Sequence, residues 1–82
     1  MRVALLYFAG VRDVLGTSEE AVTLPATVRT VDDLRAWLVS ERPLLAERMG
    51  HIRLARNERF AEAGEELAEG DVIALIPPVA GG

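Results

Sequence analysis

Eighty-two residues, half of them hydrophobic and 27% charged, with no cysteine, describe one small globular domain. They exclude a two-domain enzyme, a disulfide scaffold, thiolate metal sites and a cysteine nucleophile, and a chain of this size buries only roughly 60–65% of its unfolded surface, too little to build a deep cleft of its own. Thirteen acidic residues against nine arginines leave a net charge of −4, with no excess of cations to neutralise phosphates, so nucleic acid is not an expected partner.

The first predicted element is Val3–Phe8, apolar at every position, which reads as a strand buried on both faces and closed by Gly10. Val11-Arg12-Asp13-Val14-Leu15 has the spacing of a short helical turn stopped by Gly16, and Ala21–Leu24 before Pro25 reads as a second strand. Thr30 before Val31-Asp32-Asp33-Leu34 predicts a capped helix, with Asp33 in the capping-box place usual for Glu or Gln and both aspartates at the positive end. Val31, Leu34 and Leu38 share one face of that helix, Trp37 flanks it, and Pro43 stops it near Arg42. Leu44–Met49 reads as a further turn, and Ile52–Arg56 as a strand whose arginines face away from Ile52 and Leu54. Asn57-Glu58 is a turn into a short strand around Arg59-Phe60-Ala61. Glu69-Gly70-Asp71 is another turn, before a final strand, Val72–Ile76, ended by Pro77-Pro78. No run approaches the roughly 18 apolar residues of a membrane span, and the start lacks a small-residue cleavage site; no membrane association is expected, and the cytoplasm is the expected compartment.

Strand, strand, helix and three strands make an α+β fold of the ubiquitin-like β-grasp type. Residues 1–76 are expected to form a mixed sheet of about five strands with one main helix across one face, and residues 77–82 a flexible tail. One helix covers one sheet face. With Leu5, Tyr7, Ile73 and Leu75 turned to the helix, alternation leaves Leu6, Phe8, Ala74 and Ile76 on the other side. An uncovered apolar face on so small a chain suits a protein partner, unless loops fold over it.

Side chains for catalysis are scarce. Ser18, Ser40, Thr17, Thr23, Thr27 and Thr30 sit near predicted turns, strands or caps, and the single histidine, His51, lacks companions for a triad or a metal site. Glu65, Glu66 and Glu69 lie in a polar loop without oxygen-ligand spacing and read as a solvated face. Trp37 reads as packing at the core boundary, and neither a metal site nor a bound cofactor is expected. The segment Pro77-Pro78-Val79-Ala80-Gly81-Gly82 is different: the prolines restrict the exit to an extended path, and two glycines carry no Cβ to obstruct a narrow tunnel. Such an end suits a carboxylate presented to another enzyme's active site; it equally describes a terminus that frays.

Phe8–Gly16, in which Phe-Ala is followed by Arg, an acid and Gly, and Asp71–Gly82 resemble stretches of the small subunit of molybdopterin synthase, a β-grasp sulfur-carrier family. The resemblance covers nearly the whole chain. Its specific part is the Pro-Pro-Val-Ala-Gly-Gly ending, because Gly-Gly alone is shared with thiamin-pathway sulfur carriers and ubiquitin-like modifiers. The chain departs from the family pattern at Asp13, where Glu is more usual, and at Ala55-Arg56-Asn57, where a Val-Asn pair is expected; neither touches the tail.

The resemblance implies that an activating enzyme uses ATP to adenylate the Gly82 carboxylate and that sulfur then replaces AMP to give a C-terminal thiocarboxylate. It further implies docking on the large synthase subunit, with Pro77, Pro78, Val79, Ala80 and Gly81 threading the tail into that subunit's active site, where sulfur passes to cyclic pyranopterin monophosphate. Alternation puts Phe8 and Ile76 on the partner face with Leu6 at its edge. The resemblance adds Phe60, and Arg12 as a contact to the activating enzyme. The net charge of −4 and an anionic tail predict basic partner pockets. A ubiquitin-like modifier that transfers Gly82 to a lysine, a thiamin-type carrier and a purely structural β-grasp domain stay open, and the chain has no lysine on which to build polymers of itself.

Overall fold

Strand chemistry sets the sheet order. The computed structural model describes residues 1–78, with strands β1 (Arg2–Tyr7), β2 (Glu19–Thr23), β3 (Arg53–Arg56), β4 (Arg59–Phe60) and β5 (Val72–Ile76), and helices α1 (Ala9–Leu15) and α2 (Val31–Glu41). The two most apolar strands, β1 and β5, pair in parallel at the centre of the order β2-β1-β5-β3-β4, and every other neighbour is antiparallel. Charged β2 and two-residue β4 take the edges, where unpaired backbone meets water. This is the ubiquitin-like β-grasp arrangement, with one main helix across one sheet face.

The register Leu5↔Ile73 and Tyr7↔Leu75 puts four fully buried side chains in one layer facing α2. Leu34 and Leu38 of α2, both fully buried, complete it, each contributing roughly 1.5–3 kcal/mol by leaving water. The expectation that β1 is buried on both faces does not hold: Val3, Leu5 and Tyr7 are buried, Ala4 and Leu6 are half-buried and Phe8 is 46% exposed. One helix covers one face only, and β1 ends at Tyr7 because Phe8 becomes the cap position of α1.

The capping box of α2 forms as expected. The Thr30 hydroxyl accepts from the Asp33 N–H at 3.2 Å, and Asp33 Oδ2 accepts from the N–H groups of Thr30 (3.1 Å) and Arg29 (3.0 Å). Those donors, Arg29 first, hold the Asp33 carboxyl below the usual carboxylate range. Pro43 follows the Arg42 cap and opens a 3-10 turn, Pro43–Leu45, with a second at Met49–His51. Arg35 of α2 donates to the carbonyls of Met49 (2.8 Å) and Ile52 (2.9 Å), which fastens this connection to the helix.

A polar network closes the other end of the layer. Tyr7, 1% exposed, donates its hydroxyl to Glu20 Oε1 at 2.5 Å, and Arg42 grips the same carboxylate at 3.0–3.3 Å. Burial first, then the acceptor Glu20, pushes the Tyr7 phenol well above its ordinary range. Glu20 is held below its own, chiefly by the Tyr7 hydrogen bond, with Arg42 assisting against the cost of burial. Among the described residues no helix is long and apolar enough to cross a membrane.

Candidate functional site

The sheet face turned away from α2 is assembled by cross-strand register. Leu6, Ala74, Ala55 and Phe60 lie side by side across β1, β5, β3 and β4, and the pair Ile76↔Arg53 stands beside them. Two alanines in the middle of a row bounded by Leu6 and Phe60 leave a trough of about 430 Å³, which Phe8 and Ile76 also line. Phe8 and Phe60 are 46% and 53% exposed, so two aromatic rings stand open at its sides. Described loops do not cover them. Leu6, Phe8, Phe60 and Ile76, expected on one face, are brought together there.

A second cavity, about 600 Å³, continues from Phe8 and Ile76 past Gly10 and Arg48 to Pro77 and Pro78. The shared Phe8 and Ile76 make one continuous apolar path from Phe60 to the end of the described chain. Ala9 enables this junction by taking φ 45°, a left-handed conformation unusual for a residue with a Cβ, as the chain turns from β1 into α1. Gly16 then ends α1 at φ 74°, its N–H donating to the Arg12 carbonyl at 2.8 Å. Arg12 stands exposed on α1 and lines neither cavity. Pro77 is half-buried and Pro78 exposed. The expectations for Val79, Ala80, Gly81 and Gly82, the flexible tail included, fall outside the described residues.

Phe60 is held in place by a buried carboxylate that sequence reading took for part of a turn. Asp71, 5% exposed, accepts from Arg56 Nε (2.6 Å), the Ala68 N–H (2.7 Å) and Asn57 Nδ2 (3.0 Å). Burial pushes its pKa up, but these three donors outweigh burial and hold the carboxyl below its ordinary value of 3.8. Arg56 also pairs with Glu65 at 3.2 Å, and Asn57 exchanges hydrogen bonds with the backbone of Val72. Together they pin the two-residue turn Asn57-Glu58, at φ 51° and 70°, that returns the chain into β4 and delivers Phe60 opposite Ala55.

The remaining candidates have structural surroundings. His51 is exposed on the second 3-10 turn, and Trp37 is half-buried against the core with the Arg42 guanidinium 6.0 Å from its ring. Glu65 is paired with Arg56, and Glu69 accepts from the Arg2 N–H at 3.0 Å. Among the described residues no cluster of three His, Asp or Glu side chains could hold a metal ion. Sequence reading missed Arg53, whose guanidinium carbon lies 3.6 Å from the Phe60 ring centroid, and Arg48, which lines the tail exit. Alternation that turns Arg53 away from Ile52 and Leu54 was the available signal for it; Arg56, expected to face the same way, stands on the parity of Leu54 and is half-buried against Asp71.

The family model described as the ThiS family matches residues 5–82. The molybdopterin synthase sulfur carrier subunit of Chlamydomonas reinhardtii is 34% identical over 84 aligned positions that cover the whole of both chains. The crystal structure of SAMP1 from Haloferax volcanii superposes with a TM-score of 0.85 at 33% identity, again over the whole of both chains. A chain in the complex of subunits 1 and 2 of molybdopterin-converting factor from Helicobacter pylori 26695 is 29% identical, with a TM-score of 0.74 over all of both chains. A likeness that spans the sheet, the helix and the Pro-Pro-Val-Ala-Gly-Gly segment alike leads to one assignment: the chain belongs to the ThiS family, and its full-length relatives include molybdopterin synthase sulfur carrier subunits.

Proposed function

We propose that this chain is the sulfur carrier subunit of a molybdopterin synthase, working in the cytoplasm as a β-grasp body of residues 1–76 with a reactive tail over residues 77–82. The observation that carries the reading is the end-to-end likeness to carrier subunits. The apolar path that runs from Phe60 through Phe8 and Ile76 to Pro77-Pro78 supports it, because a partner seated there would receive whatever follows Pro78.

In this reading a Gly82 carboxylate oxygen attacks the α-phosphorus of ATP on the activating enzyme, and pyrophosphate leaves. A sulfur nucleophile then attacks the acyl carbon and expels AMP, a far better leaving group than oxide, giving the thiocarboxylate. On the large subunit the sulfur moves to cyclic pyranopterin monophosphate and water restores the Gly82 carboxylate, so the two sulfurs of the dithiolene need two loaded carriers. The chain supplies the reacting atom and the address. Leu6, Phe8, Phe60 and Ile76 dock on the large subunit, Arg12 contacts the activating enzyme, and Pro77 to Gly81 thread the partner's tunnel without adding a general acid, base or metal. ATP is the activating enzyme's substrate, and the carrier binds no cofactor itself.

Intact mass after incubation with the activating enzyme, ATP and a sulfur source tests this: the expected gain is the difference between sulfur and oxygen, localised to Gly82. A second reading, transfer of Gly82 to a protein amine, is favoured by the likeness to SAMP1 and would appear as an isopeptide adduct. A thiamin-type carrier would gain the same mass but leave cyclic pyranopterin monophosphate unchanged in the presence of the large subunit.

A further inference from the structure

We propose that Arg53, its guanidinium placed over the Phe60 ring, is a specificity-determining contact of the open sheet face, and that the large subunit meets it with a carboxylate. This rests on the reading of that face as the large subunit's docking surface. The Arg53 guanidinium carbon lies 3.6 Å from the Phe60 ring centroid, and Arg53 is the cross-strand neighbour of Ile76. It therefore sits between two side chains that a docking partner has to cover. Arg35, Arg42 and Arg56 spend their donors on carbonyls or carboxylates, whereas Arg53 makes no side-chain hydrogen bond to a described residue.

Covering Phe60 removes water from the guanidinium above it. Its N–H groups then need acceptors, because a buried cation left unpaired costs more than its neighbours gain by burial. A guanidinium held over a ring has less side-chain freedom left to lose, and its planar fork matches a carboxylate in a bidentate pair. An apolar partner surface satisfies none of this. A second cation, Arg48, lines the tail exit, and its Nη1 lies 3.7 Å from where a Cβ on Gly10 would stand. A cation thus stands at each end of the apolar path, with Glu58 the one acid lining its Phe60 trough, although the whole chain carries −4.

Global and local charge make opposite predictions. If the net charge of −4 governs docking, the partner face is basic and replacing Arg53 by Glu tightens binding. If the local cation governs, within a Debye length of about 8–10 Å, the same change weakens it. Binding of the full-length chain to the purified large subunit, followed by surface plasmon resonance with thermal unfolding of each variant alongside, decides between them. Arg53→Glu is expected to weaken binding by about thirtyfold, Arg53→Gln by about tenfold and Arg53→Lys by about threefold, since lysine keeps the charge but not the fork. Arg29→Glu, the same charge change in the exposed segment before α2, is expected to stay within about twofold. Equal or tighter binding by folded Arg53→Glu or Arg53→Gln overturns the inference while leaving the docking reading intact. Absence of binding by the unaltered chain overturns both.

Discussion

Replacing Asp71 by alanine probes the link between the fold and the docking face, because this one carboxylate ties β5, the Ala68 turn and the β3–β4 hairpin together. Its side chain is 6% exposed and accepts three hydrogen bonds, one from a guanidinium at 2.6 Å. Each bond to a charged group carries about 1.5–3 kcal/mol, and breaking a fully buried pair costs about 3–5 kcal/mol. The partners here recover part of that: Arg56 is 26% exposed and keeps Glu65, and Asn57 and Ala68 reach water. We therefore expect a loss of about 2–3 kcal/mol, or roughly 10–20 °C in Tm for a domain of this size, read by circular dichroism in heat and urea. Asp71→Asn keeps the volume and loses the charge, and should fall between. Because the folded carboxyl sits below its ordinary 3.8, its contribution is present above that pH and disappears as pH falls further; the acid limb of the stability curve should be shallower in both variants. The loosened hairpin should also weaken large-subunit binding through Phe60. A loss under about 0.5 kcal/mol with an unchanged acid limb would refute the assignment of Asp71 as the clasp of this hairpin.

Phe8→Ala should weaken binding to the large subunit by about tenfold, because a ring already half covered has only about 1–1.5 kcal/mol left to gain; calorimetric titration with folded variant checks it. Glu58→Gly should stabilise the chain by about 0.5–1 kcal/mol in urea unfolding, since glycine relieves a residue held at φ 70° and restores the Asn-Gly pair that two-residue hairpin turns favour. Tyr7→Phe should cost about 1 kcal/mol by leaving Glu20 one donor short. Tyr7 is the chain's one tyrosine, so phenolate absorbance reads it directly: in the folded chain it should ionise only well above its ordinary range, and stability should fall as pH rises past the ordinary value of 10.

Much of this architecture is local and therefore legible in the residues. Thr30 and Asp33 announce the start of α2, Pro43 its end, and Pro77 the end of β5, because caps and prolines act within a turn of where they stand. The open face was legible through period-two alternation on β1 and β5, which needs only the knowledge that one helix covers one side. What escaped depends on residues that meet only after folding. Glu20 occupies an inward-facing position of β2, so the strand's start at Glu19 was hidden behind two acids; its partners Tyr7 and Arg42 lie 13 and 22 residues away. Asp71 read as a turn residue because Arg56, 15 positions earlier, gives no local sign of reaching it. Alpha1 begins at Ala9 rather than Val11 because the Phe8 carbonyl accepts from the N–H groups of Val11 (3.0 Å) and Arg12 (3.4 Å), backbone bonds that side-chain spacing does not encode. Ile52 caps the 3-10 turn rather than joining β3, since its N–H returns to the Met49 carbonyl and its own carbonyl is taken by Arg35.

Sulfur carriage on Gly82 is tested most directly by complementation of a strain that lacks its carrier subunit, scored by molybdoenzyme activity. The intact chain should restore activity, and a variant without Gly81 and Gly82 should restore none, although its apolar face is unaltered and it still binds the large subunit. Activity at the normal rate from the shortened chain would contradict the account, because docking alone would then suffice and the glycine carboxylate would not be the atom that carries sulfur.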